Sequence, residues 1–175
     1  MTSAAGGNGS GGEGTGGAMM SDLLDCGPEQ CPVASGSACC WDQHEQYGEP
    51  RAECVMGGID GDGCVTGYDE PQPGFETRIE CQSDEHCDGA DVCCGRLAYS
   101  PSLNTNVYVQ LSCTDYDNCV DPPQNEYRGI VVCTVPGSTD GCPLIPIGGG
   151  QTIQSVCEDS ALLPDGYLIC GNPNN

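Results

Sequence analysis

Sixteen cysteines punctuate this chain, and their order occurs twice. From Cys26 the series runs single, single, adjacent pair, single, single: Cys26, Cys31, Cys39 with Cys40, Cys54 and Cys64. It returns as Cys81, Cys87, Cys93 with Cys94, Cys113 and Cys119, at offsets of 55, 56, 54, 54, 59 and 55 residues. Self-similarity at a near-constant spacing is the mark of a duplicated unit. Cys133, Cys142, Cys157 and Cys170 follow as a four-cysteine tail.

Sixteen cysteines in 175 residues is the density of a secreted disulfide scaffold. The number is even, so all sixteen can pair. Glutathione keeps cytosolic thiols reduced, which places such a chain outside the cell or on its surface. Consecutive Cα atoms lie about 3.8 Å apart, closer than the roughly 4.4–6.8 Å that a disulfide usually spans. Cys39 and Cys40 should therefore bond to different partners, as should Cys93 and Cys94; spacing alone leaves the rest of the connectivity open.

The apolar inventory is thin. One Phe, one Trp and seven Tyr, diluted by 27 Gly and 13 Pro, supply little core to offset about 1–2 kcal/mol of backbone entropy per residue. Cross-links that restrict the unfolded chain fill that role, at roughly 2–4 kcal/mol each, so reduction should unfold the protein.

Charge is one-sided: 26 acidic residues face four Arg and no Lys, for a net −22. Binding to nucleic acid or to anionic membranes needs basic residues, so such a surface repels both and nucleic-acid function is set aside. The expected partner is an extracellular protein or glycan of unknown identity.

Residues 1–22 read as a Gly-rich linker, because GGNGSGGEGTGG at 6–17 places eight Gly in twelve positions without an apolar side chain. The asparagine in Asn8-Gly9-Ser10 matches a glycosylation acceptor, a pattern that arises easily in such a run. Met1 to Ala5 holds neither a basic nor an apolar export region, so an export signal or a lipid-bearing cysteine as anchor is expected upstream of Met1, the alternative being a sequence trimmed to the mature region. No stretch approaches the roughly 20 apolar residues of a membrane span.

Two further segments follow: a first cysteine-rich unit at 23–77, and a second at 78–175 that includes the tail. Pro71-Gln72-Pro73-Gly74 and Asp121-Pro122-Pro123 supply the breaks. Strands are expected at 107–111, 129–133, 152–156 and 167–170, each rich in β-branched or aromatic residues between turn formers. Cysteines close several of these runs, in TRIEC, VQLSC, GIVVC and YLIC, where a bridge can pin the register. No helical period is sustained. The expected fold is a small, disulfide-rich, β-rich one of short strands and turns, with little or no helix.

Candidate sites are few. Asp60-Gly61-Asp62-Gly63 resembles the start of a calcium loop, but Cys64 and Pro71 occupy the positions where an EF-hand needs oxygen ligands. Asp60 and Asp62 are left as a weak calcium candidate, and no other cofactor is expected. CQSDEHC and CTDYDNC would each form a small acidic finger if their own flanking cysteines bridged. His44 and His86 are the only histidines; zinc could be imagined on His86 with Cys81, Cys87 and Cys93, yet the C-x2-C spacing of structural zinc sites is absent. With no Lys, no phosphate loop and no nucleophile motif, no catalytic residue is assigned, and the chain reads as a non-enzyme.

The run CQSDEHCDGADVCC, Cys81 to Cys94, resembles the centre of a whey-acidic-protein-type four-disulfide core in its C-x5-C-x5-C-C spacing and in Asp84. Members of that family often inhibit serine proteases, so the resemblance implies an inhibitor-like module as an alternative. The next cysteine here is Cys113, and Val92 stands where the family has a basic residue; no inhibitory loop is carried over. As a whole, a Gly/Ser-rich tether before acidic, Lys-poor C-x-S-D-x-x-C units is similar to the cysteine-rich surface proteins and lipoproteins of myxobacteria. That resemblance implies a location more than an activity. The expectation is a secreted or surface-tethered, non-catalytic module for extracellular binding, adhesion or envelope and matrix structure, with a metal-binding thiolate protein as a further alternative.

Overall fold

The computed structural model describes residues 23–33, 36–42, 52–56, 64, 76–101, 104–121 and 128–171. Its strands are β1 (Leu23–Cys26), β2 (Glu29–Pro32), β3 (Ser37–Asp42), β4 (Ala52–Met56), β5 (Glu76–Ile79), β6 (Val92–Ser100) and β7 (Thr105–Thr114). After the five-residue helix α1 (Tyr116–Val120) come β8 (Arg128–Cys133), β9 (Leu144–Gly148), β10 (Gln151–Gln154), β11 (Val156–Asp159) and β12 (Leu168–Gly171). The fold is a small disulfide-rich β structure; besides α1, a single 3-10 turn at Asp84–His86 is the other helical element that bears on the candidate sites.

Eight strands form one sheet in the order β11-β12-β8-β6-β7-β5-β3-β4, while β1–β2 and β9–β10 stand as separate hairpins. The ladders are antiparallel except β5–β7, which pairs Arg78 with Gln110 and Ile79 with Leu111 in parallel. Strand β5 also pairs with β3, so the sheet runs without a break from the first cysteine unit into the second. The boundary between residues 77 and 78 falls inside β5.

The strands expected at 107–111 and 129–133 lie within β7 and β8, and that at 167–170 within one residue of β12. The run 152–156 is instead broken at Ser155, which ends β10 and precedes β11 in a different sheet. The cause is a buried tie: the Ser155 N–H donates to the Pro143 carbonyl at 3.2 Å, and the Ser155 hydroxyl donates to the same oxygen. A serine with no exposed surface needs partners for both donors, and here both go to Pro143 rather than to a ladder.

The sixteen cysteines form eight bridges and none is free. In the first unit Cys26 joins Cys39, Cys31 joins Cys54 and Cys40 joins Cys64. In the second, Cys81 joins Cys93, Cys87 joins Cys113 and Cys94 joins Cys119. Numbered along each unit, both follow the order first to third, second to fifth, fourth to sixth. The tail adds Cys133–Cys157 and Cys142–Cys170. Each adjacent pair does split its partners, because successive side chains of a strand point to opposite faces. The third and fifth cysteines also face each other across a ladder in both units, Cys39 opposite Cys54 and Cys93 opposite Cys113, without bonding to each other.

No bridge crosses between the units or into the tail, so packing joins them. Leu24, Ile79, Tyr108, Leu111, Val132 and Tyr167 close over the Cys26–Cys39 and Cys81–Cys93 bridges in one shared core. Two long-range hydrogen bonds tie the tail to the first unit: Tyr167 donates its hydroxyl to the Asp25 carbonyl at 2.8 Å, and Trp41 donates Nε1–H to the Leu162 carbonyl at 3.1 Å. Arg78, 2% exposed, is held by Glu80 at 2.7 Å. A second cluster of Cys94, Cys119, Val131, Cys157, Leu168 and Cys170 seats α1 against β8. Gly129 makes that approach feasible, since a Cβ there would lie 1.8 Å from the Cys119 carbonyl oxygen.

Candidate functional site

Asp60 and Asp62 lie outside the described residues. The two acidic loops do not form disulfide-closed fingers, because each flanking cysteine bonds elsewhere: Cys81 to Cys93, Cys87 and Cys113 to each other, Cys119 to Cys94. Their acids serve the backbone instead. Asp84 accepts the Cys93 N–H at 3.1 Å, tying the 3-10 turn to the start of β6. Asp115 caps α1 by accepting the Asp117 N–H at 2.9 Å. The aspartate of the whey-acidic-protein-like spacing thus has a structural role here.

His86 ends the same turn. Its Nδ1 accepts the N–H groups of Gln82 at 3.1 Å and Ser83 at 3.2 Å. That requires the neutral ring with its proton on Nε2, which is buried without a hydrogen-bond partner among the described residues. Neither Nδ1 nor the bridged sulfurs of Cys81, Cys87 and Cys93 then offers the lone pair that the zinc reading needs. Elsewhere the sulfurs of neighbouring bridges converge, as at Cys26, Cys31 and Cys54, but as disulfides they are not the thiolates that bind metal.

Two buried phenols have shifted ionisation. Burial pushes Tyr108 up to about 12, against the opposing pull of a Ser160 hydrogen bond and the Arg128 charge. Tyr167 is raised further, by burial and then by the Asp25 carboxylate. Both stay protonated at physiological pH and act as packing residues with a polar tip.

Among the described residues, three of the surface concavities could seat a ligand. One of about 160 Å³ is bordered by Asp84, Glu85 and Asp140 beside Cys133. A second, about 450 Å³, lies between the β1–β2 hairpin and the 82–86 turn and carries Asp25 and Glu85. The third, about 370 Å³, runs between β8 and β9; among the described residues its lining has no acidic side chain, and its one charged group is Arg128.

The third groove has no counterpart among the residues singled out from sequence. A signal for it does exist: residues 141–157 contain no charged side chain in a chain of net −22. This run forms the β9–β10 hairpin, with Leu144 60% and Ile147 51% exposed. Its base is fixed by the Ser155–Pro143 tie, by Gln154 donating to the Cys142 carbonyl at 2.9 Å, and by the bridges of Cys142 and Cys157. No protein-family model matches the chain, no curated protein does, and no solved structure does.

Proposed function

We propose that this chain is a secreted or surface-tethered binding module without catalytic activity, acting on an extracellular protein or glycan in adhesion or in envelope and matrix structure. The observation that carries the reading is the closure of all sixteen cysteines into eight bridges, a state that persists only in an oxidising compartment. Among the described residues no helix is long and apolar enough to cross a membrane. The Gly-rich run at 6–17 fits a tether, and the similarity to myxobacterial surface lipoproteins supports the same placement. The absence of a catalytic motif, and the structural duties of Asp84, Asp115 and His86, favour binding over turnover.

The test is rapid thiol alkylation of cells of the native source, followed by fractionation and intact-mass measurement. The expected result is a surface or medium fraction in which no cysteine alkylates without reductant. Recovery from the cytoplasm with alkylatable thiols and bound zinc or copper would overturn the reading in favour of a thiolate metal protein.

A further inference from the structure

The groove between β8 and β9 differs from its surroundings in charge, in lining and in the strand edges beside it. Of the four Arg, Arg78 is buried against Glu80, and Arg51 lies outside the described residues. Arg96 and Arg128 are exposed and form no salt bridge among the described residues, and Arg128 borders this groove whereas Arg96 lines none of the three concavities described above. The walls beside it are Ile130 and Val131 of β8, Leu144, Ile145 and Pro146 of β9, and Val120 at the end of α1. The other two concavities carry carboxylates and would repel an anion.

Both strands that flank the groove have an edge without a strand partner among the described residues. β9 pairs with β10 alone. β8 pairs through residues 128–131 with β6 on one edge, while β12 meets only Val132 and Cys133 on the other. Open edges offer N–H and C=O groups to a main chain, which an acyl chain cannot use. At about 370 Å³ the groove is at the small end of ligand sites.

We propose that this groove binds the C-terminal end of an extended apolar peptide from a partner protein, with Arg128 taking the α-carboxylate. The inference rests on the reading of the chain as a binding module. Apolar side chains of the peptide pack on Ile130, Leu144 and Ile145, its backbone adds to an open strand edge, and its terminal charge meets the one cation of the groove. A guanidinium suits a carboxylate because its planar fork can donate two parallel hydrogen bonds. Because the chain as a whole is strongly anionic, a partner that is basic beyond its last residues is favoured in encounter, and more so at low salt.

The test uses the oxidised full chain, isotope-labelled, titrated in turn with three probes and followed by amide chemical shifts. The probes are a mixture of acetylated hexapeptides with three apolar C-terminal residues and a free carboxylate, the same mixture as C-terminal amides, and octanoate. The free acids are expected to shift the amides of residues 128–131 and of Leu144 and Ile145, with the amidated mixture weaker by about 10- to 100-fold. Arg128→Gln should abolish the difference between acid and amide, whereas Leu144→Ser, at an exposed position, should weaken both. Equal binding of acid and amide, octanoate as tight as peptide, shifts elsewhere, or no binding by the mixture would each overturn the proposal. None of those outcomes bears on the thiol-alkylation test of where the protein resides, so the two failures are separable.

Discussion

The two six-cysteine units share one bridge order and differ in what surrounds it. In the first, β4 is the edge of the sheet and none of its five residues is buried. In the second, the corresponding strand β7 lies between β6 and β5, and six consecutive residues, Val107 to Ser112, are buried. The sequences match these fates: AECVM against TNVYVQLSCT. The same cross-links can thus hold a lightly packed hairpin at the rim or a strand pair at the centre. The bridges set which strands meet, and the β-branched and aromatic content decides how deep they sit.

Removing the fourth-to-sixth bridge from each unit gives the sharpest contrast. Cys40–Cys64 and Cys94–Cys119 close loops with separations of 24 and 25 residues. The chain-entropy contribution is therefore the same, roughly 3.5 kcal/mol for either. Cys94 and Cys119 are at most 2% exposed and sit in the cluster beneath α1, whereas Cys64 is only half-buried. Denaturant titration of the paired Ala variants should show the second-unit loss larger by about 1–2 kcal/mol, from the cavity left behind. Equal losses would mean that the two units are energetically equivalent despite their different depth.

A smaller effect concerns pH. The ordinary value for tyrosine, 10.0, rises to about 12 for Tyr108 in the fold, so the folded state keeps a proton that the unfolded chain releases. The stabilisation is complete below pH 10 and disappears as pH rises toward 12, a loss of about 2–3 kcal/mol. Unfolding midpoints measured between pH 9 and 12 should fall for the native chain and fall less steeply for Tyr108→Phe, the remaining slope coming from Tyr167. An unchanged slope would remove Tyr108 as the group that makes the central strand pair alkali-sensitive. No such group lies on β4.

The smallest effect tests how the first unit is held. Trp41→Phe keeps an aromatic ring but deletes the donor to Leu162, and should lower stability by about 1 kcal/mol. Proteolysis within the first unit should accelerate more than in the second if that hydrogen bond secures the rim; equal acceleration would assign the effect to the sheet as a whole.

Much of the fold was legible because its signals are local. β7 and β8 are runs of β-branched residues between turn formers, and adjacency alone dictated that Cys39 and Cys40 part company. The connectivity and the parallel β5–β7 ladder were not legible, since neither depends on neighbours in sequence. Ser155 was read as part of a strand because Pro143, the acceptor that removes it, lies twelve residues away. The groove was hidden for a related reason. Arg128 is unremarkable in sequence, and its setting exists only after β9 folds beside β8. The calcium candidate at Asp60 and Asp62 lies outside the described residues.

The locality of the bridges has a mechanical consequence. From Cys26 to Cys64, from Cys81 to Cys119 and from Cys133 to Cys170 every interval is spanned by at least one disulfide, so a nick leaves the pieces joined. Between these three closed islands, at residues 65–80 and 120–132, the peptide chain is the only covalent thread. A force pulling on the two ends therefore meets two links that cannot lengthen, where Cys39-Cys40 and Cys93-Cys94 join two bridges through one peptide bond. A third can lengthen along residues 133–142, and what the force draws apart first is the sheet that lies across them.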